Sequence, residues 1–265
     1  MTQNKPLEAV FLQNCLKTAH TAVDAAADVI QRYYGQLASV DMKADATPVT
    51  IADKESEAVI REVLSQQFPD HGFYGEELGR SSAENEDFVW LIDPIDGTKS
   101  FVRNYPFFST QVALSYRGEL VLGISNAPMM SEKAWATLGG GAFLNGEKIH
   151  INDDVTDEMS CVSTGNIRTL IETNWKPLGQ LLKGFGKIRG YGDFYHYHLL
   201  ASGKLDLVIE SDVNILDIAA LTVIVREAGG IVTQLDGLRI DEDSCTILAG
   251  SAKYHHKALQ VLNNA

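Results

Sequence analysis

The chain has 265 residues, of which 35 are acidic and 22 are basic, giving a formal net charge of −13. This length allows one large domain or two smaller ones, and a hydrophobic fraction of 45% is ordinary for a globular protein. The acidic balance argues against general binding to nucleic acid or to anionic membranes, since both need a basic surface. The acidic charge does not exclude a phosphate substrate, because a bound metal ion can reverse the local electrostatic field.

The cysteines and the apolar runs indicate the cellular compartment and whether the chain crosses a membrane. Cys15, Cys161 and Cys245 lie far apart without paired spacing, which predicts buried, reduced thiols and neither disulfides nor a zinc site. The stretch MTQNKPLEAV lacks the pattern of a signal peptide. No apolar run reaches the roughly 20 residues that span a bilayer. We therefore expect a cytoplasmic protein.

The first part of the chain predicts two helices followed by a mostly antiparallel sheet. Apolar residues at steps of three and four mark an amphipathic helix that ends at Gly35. A second helix starts within TPVTIAD and stops before Pro69. The β-rich stretches that follow are FVWLID, STQVALSY, ELVLGISN and EKAWAT. The predicted hairpin turns are Arg117-Gly118 and Asn145-Gly146.

From about residue 155 the pattern changes to strands alternating with helices, which predicts an α/β half. The predicted strands lie in MSCVSTG, KIRGYGD, LDLVIES, GIVTQL and CTILAGS. The predicted helices include RTLIETNWKPLGQLLKGF and a last helix that reaches Leu262. We expect two closely packed parts, residues 1–150 and residues 151–265.

Acidic side chains recur at four places that a hard divalent cation could join. They are Asp53, the Glu76–Glu77 pair, Asp93 with Asp96 in WLIDPIDGTKSF, and Asp217. Mg²⁺ prefers oxygen ligands, and two such ions roughly 3.5–4 Å apart can hold the attacking and the leaving oxygen of a phosphoryl transfer. Gly97, Thr98 and Lys99 are predicted to begin a helix, whose N–H groups would face an anion.

Each of these features also has a purely structural interpretation. Asp53 lies three residues after Thr50, and Asp217 three after Asn214, as in helix capping. The paired glutamates fit a solvated loop, and DPIDG fits a plain turn. The sequence has no EF-hand, Walker A, HExxH or GxSxG motif. Spacing alone therefore leaves a metal site as one alternative.

The stretches GEE, DPIDGT and ILDIAAL…REAGG together resemble the inositol monophosphatase superfamily of Mg²⁺-dependent, lithium-sensitive phosphatases. The resemblance spans nearly the whole chain, including TPVTIAD, GGGAFLNGEKIHI and RGYGDF. It implies an α/β (α+β) fold, the layered αβαβα sandwich of this family, usually as a homodimer. It also implies two or three Mg²⁺ ions per active site and a small phosphomonoester substrate, with neither nucleic acid nor membrane as a partner.

The resemblance assigns metal ligands residue by residue. The first metal would be held by Glu76, Asp93 and the backbone carbonyl of Ile95, and the second by Asp93, Asp96 and Asp217. Glu76 would also bear on a third, weaker ion. Residues 1–150 would thus carry the metal and phosphate site, and residues 151–265 would supply Asp217 and the substrate pocket.

The resemblance also assigns the catalytic and phosphate-binding residues. Gly97 and Thr98 would hold the phosphate through their amides. Asp53 and Thr98 would orient and deprotonate the nucleophilic water, and Glu76 completes the catalytic set.

Several stretches are most similar to the bacterial histidinol-phosphatase branch: SFVRNYPFF, LGISNAP, WATLGGGAF and RGYGDFYHYHLLASGKLDLVIES. Asp193 stands where inositol-type enzymes usually have a small residue, and a carboxylate there could pair with the amino group of histidinol phosphate. Glu210 matches the glutamate that reaches the leaving group. The other pocket candidates are Asp96, Arg103, Asn166 and Arg189.

Three further features qualify the resemblance. Leu216 stands where much of the family has tryptophan, so we expect the pocket wall to differ there. His196 and His198 lie two residues apart in a predicted helix and face different ways, which argues against a shared metal. We expect His255 and His256 to lie at the surface, and YPFF and Trp135 to lie in the core.

We therefore expect a Mg²⁺-dependent phosphomonoesterase acting on histidinol phosphate in histidine biosynthesis. The alternative is an inositol monophosphatase or a broad sugar or nucleotide phosphatase of the same superfamily. A more remote alternative is a non-catalytic relative that binds a phospholigand, which would be expected to lack a metal ligand or the Asp53–Thr98 pair.

Overall fold

The structure is a computed structural model that describes residues 7–36, 41–42, 48–49, 51–81 and 85–263. The predicted capping residue Thr50 lies outside these ranges. None of the helices in the described ranges is both long and apolar enough to cross a bilayer.

The elements follow the predicted order of a helix pair, a run of strands, and an alternating second half. The helices are α1 Ala9–Tyr33, α2 Ile51–Gln67, α3 Thr98–Val102, α4 Arg168–Leu182, α5 Asp193–Ala201, α6 Ile215–Glu227 and α7 Ala252–Asn263. The strands of the first half are β1 Asp41–Met42, β2 Pro48–Val49, β3 His71–Gly75, β4 Gly79–Ser81, β5 Asn85–Asp96, β6 Ser109–Tyr116, β7 Glu119–Ala127, β8 Glu132–Thr137, β9 Gly141–Leu144 and β10 Glu147–Ile149. Those of the second half are β11 Cys161–Thr164, β12 Lys187–Arg189, β13 Leu207–Ser211, β14 Ile231–Thr233 and β15 Thr246–Gly250.

Two large sheets carry the fold. The first has eight strands in the order β10-β9-β8-β7-β6-β5-β3-β4 and is antiparallel except where β3 pairs with β5. The second has five strands in the order β12-β11-β13-β15-β14, parallel from β12 to β13 and antiparallel beyond. A small third sheet pairs β1 with β2. The strands of residues 71–149 thus form a mostly antiparallel sheet, and those of residues 161–250 form a mixed sheet.

The helices form three layers around the two sheets. Helices α1 and α2 pack on one face of the eight-stranded sheet, α5 and α6 lie between the two sheets, and α4 and α7 pack on the outer face of the five-stranded sheet. Because α6 lies between two apolar faces, ten of its 13 residues are buried. This arrangement confirms the predicted αβαβα sandwich.

Both predicted hairpin turns have left-handed backbone at their two central residues. Arg117 and Gly118 have φ of 52° and 80°, and Asn145 and Gly146 have 51° and 89°. Such angles match the right-handed twist of the strands they join. The Asn145 side chain also accepts a hydrogen bond from the Lys133 N–H at 2.9 Å, which anchors the second turn to β8.

Helix α4 forms within the predicted helical stretch, but it is not straight. Its backbone is non-helical at Asn174, where φ is −140°, three residues before Pro177. A proline inside a helix lacks the N–H and crowds the carbonyl four residues earlier, so the helix kinks at this point.

Three burial predictions are wrong. Tyr105 of YPFF is 57% exposed because it lies in the turn after α3, although Phe108 is buried. Cys245 is exposed, since it precedes β15 at the end of a surface turn. His255 is buried, because it shares the packed face of α7 with Ala258 and Leu262, and its Nε2 lies 2.9 Å from Thr233 Oγ1.

Candidate active site

The end of β5 brings two aspartates to one side of the eight-stranded sheet. In a regular strand, residues three apart point to opposite faces. Here the pairing with β6 shifts register between Asp93 and Asp96, and Pro94 between them cannot donate to the sheet. The local structure is fixed by a hydrogen bond from the Ile95 N–H to Asp93 Oδ1 at 3.0 Å. The irregularity therefore lets both carboxylates take part in one cluster.

Helix α3 starts directly after this irregular strand end and requires glycine. Gly97 has φ of 88°, and a Cβ there would lie 2.7 Å from the Phe107 carbonyl oxygen. The Thr98 hydroxyl lies 3.0 Å from the Ile95 carbonyl oxygen and 3.4 Å from Asp53 Oδ1. The predicted pairing of Asp53 with Thr98 is thus present as a contact between α2 and α3.

Asp217 enters the same region from the start of α6. It forms a capping box in which the Asn214 N–H donates to Asp217 Oδ2 and the Asn214 side-chain amide to Oδ1, both at 2.8 Å. The cap predicted from the spacing is confirmed. Capping holds the carboxylate still, so the structural and the metal-binding interpretation of Asp217 are compatible.

The carboxylates of Asp93, Asp96 and Asp217 form a cluster in which one oxygen of each lies within 4.8 Å of the others. Burial, with neighbouring carboxylates adding, holds the pKa of Asp93 and of Asp96 well above the usual range, and burial raises the pKa of Asp217 to about 7. Glu76 adds to this as a hydrogen-bonding neighbour of Asp93. Four carboxylates this close repel one another unless a proton or a cation lies among them.

The donor set fits a hard divalent cation. Within the described part of the chain, the buried Asp96 Oδ2 has no hydrogen-bond partner, and a buried carboxylate oxygen without a donor is costly. Carboxylate and carbonyl oxygens are the ligands that Mg²⁺ takes. Asp93, Asp96 and Asp217 can each offer an oxygen to one such ion, and Glu76 and Ile95 line the same cleft.

These side chains line an open cleft of about 380 Å³. Sequence reasoning missed Ser100, Asp212 and Asn214 as part of its wall. The sequence predicts Asn214 only as a helix cap. Because it caps the helix turn that carries Asp217, it also borders the site.

Asp193 also lines this cleft, at the start of α5. Its carboxylate is half-buried, and burial, with Glu210 adding, raises its pKa to about 6. Its φ of 46° is left-handed, an uncommon backbone for a residue with a side chain.

Glu210 lies deeper than Asp193, on β13. Its Oε2 accepts from the Tyr197 hydroxyl at 2.6 Å and lies 3.1 Å from His196 Nε2, and its Oε1 accepts from the Asn166 N–H at 3.0 Å. Burial acts to raise the pKa of Glu210, but His196 and these donors outweigh it and lower the pKa. Glu210 and Asn166 also line a smaller hollow beside Asp193.

The two histidines of α5 face different sheets, as the sequence predicts. His196 meets Glu210 of the five-stranded sheet. His198 meets the eight-stranded sheet, where its Nε2 lies 2.9 Å from Ser125 Oγ and its Nδ1 lies 3.0 Å from Glu132.

The remaining pocket candidates lie at the margins. Arg189 is exposed on the edge strand β12, where it donates to the Ile188 carbonyl, and it is not among the residues that line the cleft. Arg103 is exposed at the end of α3. Leu216 is buried and packs into the core between the sheets.

The layered fold and the carboxylate cluster together define a site for a divalent cation and an anionic substrate. A model of the inositol monophosphatase family matches residues 12–264. The chain is 36% identical to a histidinol-phosphatase from Chlorobaculum parvum, over 81% of this chain and 83% of that protein. It is 32% identical to a histidinol-phosphatase from Mycobacterium tuberculosis, over 94% and 97% of the two chains.

Relatives with a different named activity have a similar sequence identity to this chain. The chain is 33% identical to an inositol-1-monophosphatase from Synechocystis, over 95% of this chain and 89% of that protein. The crystal structure of the extragenic suppressor protein suhB from Bartonella henselae superposes with a TM-score of 0.87 at 29% identity, covering 94% of this chain and 98% of that one. The chain therefore belongs to the inositol monophosphatase family, whose members are metal-dependent phosphatases of small phosphomonoesters.

Proposed function

We propose that this protein hydrolyses L-histidinol phosphate to L-histidinol and phosphate, a step of histidine biosynthesis. The observation that carries the proposal is the Asp193 carboxylate, which is half-buried in the wall of the metal cleft beside Glu210. Similarity to named histidinol-phosphatases at 32–36% identity supports it.

The charge at Asp193 favours a cationic leaving group. Burial and Glu210 raise its pKa to about 6, so the ionised form lacks sufficient positive charge around it. The ammonium group of histidinol phosphate would provide that charge through a hydrogen bond to the carboxylate. Inositol phosphates offer only hydroxyl groups, which stabilise the ionised carboxylate less.

Metal ligation would come from the cluster already described. Glu76, Asp93, Asp96, Asp217 and the Ile95 carbonyl would hold two or three Mg²⁺ ions. When bound, Mg²⁺ makes water more acidic and offsets charge on the phosphate oxygens.

The chain's own side chains would manage the proton. The Thr98 hydroxyl accepts a proton from the attacking water and passes its own to Asp53, 3.4 Å away. The water oxygen bonds to phosphorus and the ester P–O bond breaks. The leaving alcohol oxygen takes up a proton from solvent in the open cleft, and the proton held by Asp53 returns to solvent. The N–H groups of Gly97 and Thr98, at the start of α3, would hold the phosphate.

The experiment that tests the substrate compares kcat/KM for L-histidinol phosphate and inositol 1-phosphate with Mg²⁺ present. We expect a preference of about 100-fold for histidinol phosphate, or about 2.7 kcal/mol in the transition state. Asp193→Asn should lower the histidinol phosphate value by about 10- to 100-fold, as expected for the loss of a hydrogen bond to a charged group.

The matched control is Asp212→Asn. Asp212 is a carboxylate of the same cleft, but Thr169 and Ser211 hydroxyls already donate to it. This variant should keep the preference for histidinol phosphate. Equal losses on both substrates in Asp193→Asn would refute the role of Asp193. Better turnover of inositol 1-phosphate by the wild type would instead favour the inositol monophosphatase activity named for the Synechocystis relative.

We also propose that the protein is a homodimer, as the family resemblance implies. Sedimentation equilibrium of the purified protein tests this directly. A mass equal to that of one chain across the concentration range would contradict it.

A further inference from the structure

The metal ligands and the proton-transfer pair leave one deeply buried carboxylate of the same region unassigned. Glu57 lies on α2 one turn after Asp53 and is fully buried. An ionised carboxylate is rarely buried unless it is paired and hydrogen-bonded. Its partners therefore indicate what it does.

Among the described residues, the donors that reach Glu57 come from its own helix or from the loop that carries Glu76. Its Oε2 accepts from the Glu77 N–H at 2.6 Å, and the Leu78 N–H lies 3.3 Å from both oxygens. Arg61, one turn further along α2, donates to Oε1 through Nε at 2.8 Å, and its Nη2 forms an ion pair with the same oxygen at 2.7 Å. The Arg61 guanidinium also donates to the Gly79 carbonyl oxygen.

The approach of Glu57 to this loop is too close for any side chain at Gly75. A Cβ on Gly75 would lie 1.9 Å from Glu57 Oε1. On its other side the loop is tied to β5, because the Glu76 N–H donates to the Ile92 carbonyl oxygen at 3.1 Å. The loop is thus held between α2 and the residue that immediately precedes Asp93.

We propose that Glu57 is a positioning residue that sets how the Glu76 carboxylate meets Asp93, and thereby sets the affinity of the cluster for its divalent cation. Helix α2 carries Asp53 on one turn and Glu57 on the next. One rigid helix therefore fixes both the proton acceptor and the loop of a metal ligand. The inference rests on the metal site of the proposed function and is independent of which phosphate ester is the substrate.

The substitution Glu57→Gln keeps the size of the side chain and removes one acceptor oxygen. The amide group then faces N–H donors, so the Glu77 or the Leu78 N–H loses its partner while it remains buried. The loop can satisfy this N–H only by moving, and Glu76 moves with it. Removing a residue that orients a metal ligand typically weakens metal affinity by about 10- to 100-fold.

The experiment measures Mg²⁺ binding by isothermal titration calorimetry, beside the Mg²⁺ dependence of phosphate release. For Glu57→Gln we expect the Kd for Mg²⁺ to rise at least about 10-fold. The Mg²⁺ concentration for half-maximal activity should rise by the same factor, with kcat at saturating Mg²⁺ within about threefold of the wild type.

The matched control is Asp206→Asn. Asp206 is also a buried carboxylate that accepts from a backbone N–H, that of Cys161 at 2.6 Å. It lies away from the carboxylate cluster, in the residue just before β13 of the five-stranded sheet. This variant should lower Tm and leave the Kd for Mg²⁺ unchanged. An unchanged Kd in Glu57→Gln with a Tm loss like that of Asp206→Asn would overturn the proposal, because Glu57 would then serve stability alone.

Arg61→Gln gives a second measurement if Glu57→Gln does not fold. It leaves the Glu57 carboxylate but removes the guanidinium that joins Glu57 to Gly79. We expect a smaller rise in Kd, about threefold to tenfold, and an unchanged Kd would again overturn the proposal. Failure of the wild-type protein to bind Mg²⁺ would refute the proposed function itself, which separates the two outcomes.

Discussion

Replacing Asp217 by asparagine should make the metal-free protein more stable while it abolishes turnover. Asp217 is a proposed metal ligand whose pKa is raised from 3.8 to about 7 by burial. A carboxyl group with a raised pKa in the folded state costs stability as soon as the unfolded chain ionises. The cost starts to appear above the unfolded pKa and is complete once the pH exceeds the folded pKa.

The size of the effect follows from that shift. Three pKa units correspond to about 4 kcal/mol at about 1.4 kcal/mol per unit. Asparagine keeps one oxygen to accept from Asn214 but loses part of the capping box, which costs about 1 kcal/mol. The net gain is about 3 kcal/mol above pH 7. With an unfolding entropy of about 2.1 cal/mol/K per residue, this raises Tm by about 5 °C.

The assay is urea unfolding of wild type and Asp217→Asn in EDTA, at pH 5 and pH 8. The advantage of the variant should be larger at pH 8. Asp157→Asn provides a control of opposite sign, because hydrogen bonds from Lys257 and Lys253 hold the pKa of Asp157 below its usual range and its loss should destabilise the protein at pH 8. A lower stability of Asp217→Asn than wild type at pH 8 would refute the electrostatic reasoning.

Three further predictions address the site and the core. Asp96→Asn should keep the far-UV circular dichroism but lose the Mg²⁺-induced stabilisation, about 2.7 kcal/mol at 100 times Kd; an undiminished Tm rise would contradict the ligand assignment. Thr98→Ala should lower kcat by about 10²- to 10⁴-fold with Mg²⁺ affinity intact, and near-normal kcat would exclude Thr98 from proton transfer. Burial, with His256 adding, lowers the pKa of His255 to about 4. The free energy of unfolding of the wild type should therefore fall by about 3 kcal/mol as the pH drops from 6.5 to 4. His255→Gln should lack this loss in urea titrations, and a pH dependence equal to that of the wild type would contradict the prediction.

Much of the fold follows from local patterns in the sequence. Gly118, Asn145 and Gly146 tolerate the left-handed backbone that the two hairpin turns need, and Pro69 limits α2, so these boundaries are predictable. The closeness of Asp93 and Asp96 is also visible in the sequence. Asp217 lies more than a hundred residues further along the chain. Its proximity to Asp93 and Asp96 could be predicted only from the family resemblance.

Other features depend on packing that no local pattern shows. Glu57 resembles an ordinary helix charge in the sequence, and only the loop folded over it makes it a buried acceptor. The burial of His255, by contrast, is indicated by its helical spacing from Ala258 and Leu262 in α7, although its polar character favours the surface. The αL backbone of Asp193 follows Gly192 and has no sequence signature of its own.

The position of α6 between the two sheets has a consequence for biosynthesis of the protein. Asp93 and Asp96 leave the ribosome long before Asp217, and α6 can bury its ten core residues only when both sheets surround it. A nascent chain or a proteolytic fragment that ends before α6 therefore lacks Asp217, one of the proposed ligands. Under the proposed ligand assignment, high-affinity Mg²⁺ binding therefore requires that translation has passed α6 and that α6 has packed between the two sheets.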